Sequence, residues 1–265
     1  MSNTIRITKR KMTAVAATMM TTAVLTTKTT VPTTVKANVH AAITTTKIKT
    51  NEMTVIKEKF DKKDINALPR ETFNGRIITI LTENDAQKAV DYLLTQSMLG
   101  VDTETRPSFR KGTVHQVALL QVSTHDTCFL FRLNRTGITD SIKRLLEDEK
   151  TAKVGLSLHD DIALLRKRRE FTPGNFIEIQ NEIKNIGISD MSLQKIYANI
   201  FHKKISKGQQ LTNWEADILT DAQKLYAATD AWACIMIHDE LKRLVETGNY
   251  EFIPAAPAEA PKAES

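Results

Sequence analysis

The stretch from Met98 to Thr105, MLGVDTET, begins with apolar residues and then places two carboxylates two residues apart. In an extended strand successive side chains point to opposite faces, so Asp102 and Glu104 share one face and Thr103 lies on the other. Two like charges on a buried strand cost free energy unless a cation lies between them, and Mg²⁺ or Mn²⁺ is the cation that prefers oxygen ligands. A strand end that runs into solvent, with both acids hydrated, is the alternative that this stretch leaves open.

The segments on either side of this strand predict an α/β fold. Further strands are predicted over 76–81, 114–123, 127–133, 152–158 and 176–180, and helices over 85–96, 141–147, 160–169, 192–201 and 221–246. We expect the second and third of these strands to form an antiparallel hairpin and the last to be an edge strand. This order of elements indicates a mixed β-sheet flanked by helices.

The net charge of +6 is concentrated at the N-terminus, because residues 1–50 contain eight Lys or Arg and no Asp or Glu. The remainder has 29 basic and 31 acidic residues, so a phosphate-binding surface has to be a local patch. Cys128 and Cys234 lie far apart without metal-ligand spacing, and the histidines form no zinc pattern. We therefore expect reduced thiols in a cytoplasmic protein and no zinc site.

Composition divides the chain into three regions. The first 50 residues contain 16 Thr, and residues 1–52 are predicted to be a disordered leader or a mis-assigned start before Met53. A weakly apolar segment at 12–25 imitates a targeting peptide but is too short and too polar to span a bilayer. Residues 53–250 are predicted to form the folded domain, and 251–265 a disordered tail rich in Ala and Pro.

Two further segments place acids where helices are predicted. Tyr226 and Asp230 are four residues apart and therefore share one helical face, and four neighbouring alanines would let that helix approach a sheet closely. An amphipathic helix with Tyr and Asp at its boundary is the other interpretation. Asp160 and Asp161 open another helix, where one acid is ordinary capping and the second is free to point elsewhere.

In order, the three segments read Asp-x-Glu on a strand, Gly-x5-Asp entering a helix, and Tyr-x3-Asp on a late helix. With this pattern the chain resembles the DEDD superfamily of 3′–5′ exonucleases, in its Tyr-bearing subgroup, and is similar to ribonuclease D and the Werner-type exonuclease domain. Leu120-Gln121 and the segment from Lys207 to Trp214 also match the family. The resemblance covers about residues 75–247.

The resemblance implies an RNase H-like fold and hydrolysis assisted by two Mg²⁺ or Mn²⁺ ions about 3.5–4 Å apart. It implies that nucleoside 5′-monophosphates are released from the 3′ end of single-stranded or recessed RNA or DNA. The implied metal ligands are Asp102, Glu104, Asp161 and Asp230, and Tyr226 would orient the attacking water or pass on its proton.

The second motif permits two alignments. Counting from Gly155 without a gap selects Asp161, and Ile162 and Leu165 then occupy the family's usual hydrophobic positions. A shift by one residue selects Asp160 instead. We prefer Asp161 because both hydrophobic positions then agree.

Basic and aromatic residues beside the first and third motifs are candidates for contact with nucleic acid. Two lysines at 203 and 204 extend the second group, and solvated basic loops are the simpler interpretation of both. The candidates are Arg106, Phe109, Arg110, Lys111, Lys207 and Trp214. No membrane or protein partner is indicated. A catalytically silent nucleic-acid-binding module on the same fold is the alternative function, although no acid of the set has been lost.

Overall fold

The computed structural model describes residues 53–110 and 112–255 of the 265-residue chain. The predicted leader over 1–52 and residues 256–265 of the predicted tail lie outside the described residues. The strands are β1 (Thr54–Lys57), β2 (Arg76–Ile80), β3 (Met98–Thr105), β4 (Val117–Ser123), β5 (Thr127–Phe131), β6 (Ala152–Gly155), β7 (Phe176–Glu178) and β8 (Tyr250–Ile253). The helices are α1 (Lys62–Ala67), α2 (Glu83–Leu93), α3 (Leu133–Thr136), α4 (Asp140–Glu147), α5 (Leu158–Arg168), α6 (Ile179–Asn185), α7 (Leu193–Phe201) and α8 (Asp221–Thr247).

Six strands form the main sheet, in the order β2-β5-β4-β3-β6-β7. Strand β4 pairs antiparallel with β3 and β5, and the other neighbours are parallel. The predicted hairpin of β4 and β5 is confirmed, and β7 lies at the edge as predicted. Each strand and helix predicted from the sequence is present, with its ends shifted by at most three residues.

Helix α8 packs on one face of the sheet, and α2, α4 and α5 pack on the other. The close approach predicted from the alanines of α8 is confirmed at Gly100 of β3. A Cβ atom on Gly100 would lie 1.9 Å from the carbonyl oxygen of Ala231, a separation that no side chain tolerates. Helix α8 therefore passes directly over the central strand that carries the Asp-x-Glu pair.

The predicted disordered tail begins too early. Residues Tyr250–Ile253 form β8, which pairs in parallel with β1, so the folded part continues beyond residue 250. Both strands have four residues, and a strand so short gives no alternation that a sequence pattern could reveal. The pairing joins segments nearly 200 residues apart, which local sequence does not specify.

Candidate active site

Three of the predicted acids converge where β3 faces α8. Strand β3 directs Asp102 and Glu104 to the same face, as the two-residue spacing predicts, and α8 places Asp230 against them. One carboxylate oxygen from each residue lies within 4.8 Å of the others. Among the described residues these three side chains, the acid trio, form a group with the spacing of metal ligands.

Burial and mutual repulsion make the charged form of the trio costly. Burial, with the charges of Asp230 and Asp161, raises the pKa of Glu104 to about 9. Burial also raises the pKa of Asp230 to about 7, and the pKa of Asp102 lies well above its ordinary value for the same reasons. Such a group is stabilised in its ionised form by a cation among its oxygens.

Asp161, the preferred acid of the second motif, lies next to the trio but is not a member of it. Helix α5 packs on the opposite face of the sheet from α8, and Asp161 Oδ1 accepts a hydrogen bond from Thr103 Oγ1 at 2.5 Å. Burial raises the pKa of Asp161 to about 6, although the Thr103 bond opposes the rise. The charge of Asp161 in turn raises the pKa of both Asp102 and Glu104, so its carboxylate is electrostatically part of the site.

Asp160 points away from this region. Its side chain is 85% exposed and lies 3.3 Å from the ring nitrogen Nδ1 of His159, which is itself 96% exposed. An acid in solvent has no geometric link to the trio, whereas Asp161 is bonded to the strand that carries two of its members. The geometry therefore favours Asp161 over Asp160 as the acid of the second motif.

Tyr226 lies one helical turn before Asp230 on α8, and its ring packs on Trp214 with centroids 6.0 Å apart. Burial, the neighbouring carboxylates and a hydrogen bond with Asp230 raise the pKa of the Tyr226 phenol far above its ordinary value. The side chain is therefore a neutral phenol at physiological pH. It can donate a hydrogen bond at the acid trio. To act as a base, the phenol would first have to lose its own proton, which would require help from a nearby cation.

The acid trio and Tyr226 line a cavity of about 300 Å³, here called the acid cavity. Its other wall is formed by residues 191–194 and by Ile205, Ser206, Lys207 and Gln210. The exposed Lys207 donates from Nζ to Ser192 Oγ at 3.0 Å, and its charge lowers the pKa of Asp230. A cation therefore lines the same cavity as the trio.

The loop after β3 lines a second cavity, of about 590 Å³, here called the basic cavity. Arg106, Phe109 and Arg110 form one side, and Leu211 with Asn213 form the other. Phe109 is 83% exposed, so its ring is available to a ligand. Lys111, the remaining candidate of this loop, lies outside the described residues.

The prediction that Trp214 binds nucleic acid is wrong, because its side chain has no exposed surface. It packs in the core behind Tyr226, with Leu219 and Ala227 in the same cluster. Its large ring fills space that fixes Tyr226, and a base cannot reach it. Lys203 and Lys204 bind the protein itself, through Glu71 and the Asn66 carbonyl oxygen.

Several residues that contact the site could not be identified from the sequence. Alternation along β3 predicts that Thr103 lies on the face opposite to Asp102 and Glu104, but its hydrogen bond to Asp161 depends on the position of α5. Ser192 is the N-cap residue of α7 and Gln210 lies within the Lys207–Trp214 segment that matches the family, yet no local pattern in the sequence identified either side chain as part of the cavity. Their roles follow only from the packing of α7 and the 205–213 segment against the trio.

The donor set fits divalent metal ions. All the ligand candidates are carboxylates, the donors that Mg²⁺ and Mn²⁺ prefer, and His and Cys are absent from the trio. Lys207 is the cation that lowers the pKa of Asp230, yet burial still raises that pKa to about 7. The site therefore has the charge and the oxygen ligands that a divalent ion requires.

A mixed sheet whose central strand presents acids to a tyrosine-bearing helix defines a nuclease domain of the RNase H-like type. The sequence model of the 3′-5′ exonuclease family matches residues 77–246. The chain therefore belongs to the 3′-5′ exonuclease family, which depends on divalent metal ions. No described helix combines the length and the apolar character needed to cross a membrane.

Relatives agree with this assignment, and a solved structure shares the fold. The chain is 28% identical over 157 residues to the bifunctional 3′-5′ exonuclease/ATP-dependent helicase WRN of Mus musculus, covering 57% of this chain and 11% of that protein. It is 29% identical over 202 residues to a 3′-5′ exonuclease of Arabidopsis thaliana, covering 66% of this chain and 67% of that protein. The EXO domain of Aedes aegypti Nibbler superposes with a TM-score of 0.62 at 17% identity, over 68% of this chain and 95% of that domain, a likeness of fold.

Proposed function

We propose that this chain removes nucleotides one at a time from the 3′ end of nucleic acid and releases nucleoside 5′-monophosphates. The observation that carries the proposal is the convergence of Asp102, Glu104 and Asp230 with Tyr226 in one cavity. Membership of the 3′-5′ exonuclease family supports phosphodiester hydrolysis as the reaction. No acid of the family's set has been lost, which argues against a silent binding module.

We assign the metal ligands to Asp102, Glu104, Asp161 and Asp230. Two Mg²⁺ or Mn²⁺ ions held there would supply a more acidic water and would stabilise the charge that develops on the phosphate. The Thr103 hydroxyl holds the Asp161 carboxylate toward β3, which keeps it beside the trio. Raised pKa values in the trio mean that proton release accompanies the binding of a cation.

Tyr226 has the role of orienting the attacking water. Its raised pKa keeps the phenol protonated, so it acts as a hydrogen-bond donor whose oxygen can also accept from water. Trp214 and Asp230 fix the ring and the hydroxyl respectively. A correctly aimed water lowers the entropic part of the barrier.

The substrate binds in both the acid cavity and the basic cavity. Lys207 lies in the acid cavity, where an ammonium group suits a phosphate near the 3′ end. Arg106 and Arg110 line the basic cavity and suit phosphates further along the strand, while the exposed ring of Phe109 suits a base. These contacts fit single-stranded or recessed RNA or DNA.

The test uses the full chain with 3′-labelled single strands of RNA and of DNA. We expect labelled 5′-monophosphates in Mg²⁺ or Mn²⁺ and no product in EDTA. Asp102→Ala is the matched inactive variant. Turnover that persists without metal, or wild-type rates in Asp102→Ala, would contradict the proposal.

If the chain binds the same strands without cleaving them, the silent binding module is favoured instead. Gel-shift measurements of the wild-type chain in Ca²⁺ separate binding from cleavage. Ca²⁺ prefers oxygen ligands, as Mg²⁺ does, so it can occupy the carboxylates, but its more flexible coordination geometry differs from the one that Mg²⁺ imposes. Panels of duplex and recessed ends in both RNA and DNA then define the substrate class.

A further inference from the structure

The turn between β6 and α5 lacks the usual cap for a helix N-terminus. Strand β6 ends at Gly155, and Ser157 occupies the N-cap position with a φ of 63°, in the left-handed region. The Ser157 side chain makes no capping hydrogen bond to the helix. The first amide groups of α5 therefore need acceptors from elsewhere in the protein.

Glu178, at the end of the neighbouring strand β7, supplies those acceptors. Its Oε1 accepts from the Ser157 amide at 3.0 Å, and its Oε2 accepts from the Leu158 amide at 2.7 Å. The pairing of Gly155 with Glu178 across β6 and β7 sets this position. A carboxylate at a helix N-terminus is also favoured by the helix dipole, so both the hydrogen bonds and the dipole stabilise this contact.

Gln180 reinforces the same turn. Its Nε2 donates to Ser157 Oγ at 3.0 Å, while its own amide donates to Glu178 Oε1 at 3.1 Å. Two residues of one segment therefore hold the turn. Glu178 binds its backbone amides, and Gln180 binds the Ser157 side chain. Both oxygens of Glu178 therefore accept from backbone amides, and its charge also contributes to the raised pKa of Asp161.

The held turn leads directly to the acid of the second motif. Asp161 lies three residues after Leu158, in the first turn of α5, and its direction follows from how that turn begins. Thr103 fixes only the carboxylate, by one hydrogen bond. We propose that Glu178 is a positioning residue, whose bonds to the Ser157 and Leu158 amides set the first turn of α5 and thereby hold Asp161 beside the acid trio.

This inference rests on the proposed exonuclease function, because the position of Asp161 matters only if that carboxylate serves the reaction. Residues that orient metal ligands through hydrogen bonds typically change metal affinity or activity by about 10- to 100-fold when removed. A residue of this kind changes turnover and metal requirement, whereas a residue that grips the substrate changes KM.

The test compares Glu178→Ala and Glu178→Gln in the full chain. Alanine removes both acceptors, and glutamine keeps one oxygen. Glu147→Gln is the matched control, because Glu147 Oε1 also accepts a backbone amide, from Thr172 at 2.9 Å, and it does not line the acid cavity. The readouts are hydrogen exchange at 156–159, calorimetric titration with Mn²⁺, and kcat and KM on a labelled single strand.

In Glu178→Ala we expect loss of amide protection at 157 and 158, weaker Mn²⁺ binding, and a kcat lowered about 10- to 100-fold with KM within about twofold. Glu178→Gln should fall between wild type and alanine in all three readouts, and Glu147→Gln should match wild type. If the alanine variant does not fold, the glutamine variant decides by the same readouts.

Wild-type kcat and Mn²⁺ affinity in a folded Glu178 variant would overturn the inference, and so would a loss confined to KM. An inactive wild-type chain would instead contradict the proposed function. Hydrogen exchange and the Mn²⁺ titration still test the role of Glu178 in that case, because neither measurement requires turnover. Unchanged amide protection and unchanged Mn²⁺ affinity in the Glu178 variants would overturn that role independently.

Discussion

Thr103 Oγ1 donates to Asp161 Oδ1 across 2.5 Å and thereby ties the central strand β3 to helix α5. The bond lowers the pKa of Asp161, which burial has raised to about 6. Thr103→Val keeps the shape of the side chain and removes the hydroxyl, so the pKa of Asp161 should rise further. Because Asp161 is then less ionised in mild acid, we expect turnover to fall more at pH 6 than at pH 8.

Initial rates on a labelled strand between pH 5.5 and 8.5 measure this effect. Thr105→Val, two residues along the same strand, is the control and should keep the wild-type profile. An identical acid limb in Thr103→Val and wild type would show that the hydroxyl does not influence the reaction.

Asp160 and Asp161 are adjacent in sequence and differ in environment. Asp161→Asn should lower kcat by at least about 100-fold, in the range seen when a group acting in the transition state is removed. Asp160→Asn should retain wild-type activity within a factor of about two, because an 85% exposed side chain away from the trio contributes little. Steady-state kinetics of the two variants provide the measurement, and the reverse ranking would assign the motif to Asp160.

The parts of the site that follow from local periodicity could be predicted from the sequence. Alternation along β3 places Asp102 and Glu104 together, and helical spacing places Tyr226 with Asp230. The long helix and the hairpin have strong patterns for the same reason. Each of these features depends on residues a few positions apart.

The features that sequence reasoning missed depend on tertiary packing. The Thr103–Asp161 bond exists because α5 packs on the face of the sheet opposite to α8, and no local pattern encodes that choice. Glu178 caps a helix that begins 20 residues earlier in the chain. Trp214 lies in a polar segment typical of an exposed loop, yet its ring is entirely buried behind Tyr226.

Tyr226→Phe isolates the phenol from the ring. The phenylalanine ring keeps the packing on Trp214, so the melting temperature should stay within a few degrees of wild type. Loss of the hydroxyl removes the donor at the acid trio, and we expect kcat to fall by about 100-fold or more. Tyr197→Phe is the matched control, since Tyr197 donates to Glu71 and does not line the acid cavity. Equal rates in the two variants would remove Tyr226 from the mechanism.

Stability without metal should depend on pH through the acidic groups of the site. Folding raises the pKa of Asp161 to about 6, of Asp230 to about 7 and of Glu104 to about 9. The folded state therefore binds protons more tightly than the unfolded state. The contribution of these protonated acids to the free energy of unfolding is complete below about pH 4 and is lost as the pH rises through those values.

In EDTA we therefore expect these groups to lower the melting temperature progressively from pH 5 to pH 9, and Mg²⁺ or Mn²⁺ to restore it most strongly at high pH. Differential scanning calorimetry at matched ionic strength measures both curves. Glu104→Gln removes one of the charges and should reduce the metal-induced increase. A metal effect that is the same at pH 5 and pH 8.5 would contradict ligation by these carboxylates.

Trp214 and Phe109 should respond to substitution in opposite ways. Trp214→Ala empties a fully buried site behind Tyr226 and should lower the free energy of unfolding by about 3–5 kcal/mol. Phe109→Ala removes an 83% exposed ring and should leave stability within about 0.5 kcal/mol of wild type. Its loss should instead raise KM by about 5- to 150-fold, because stacking of one base on an aromatic side chain contributes about 1–3 kcal/mol. Urea unfolding and steady-state kinetics on one single-stranded substrate separate the two effects, and a stable Trp214→Ala protein with a raised KM would restore Trp214 to the nucleic-acid interface.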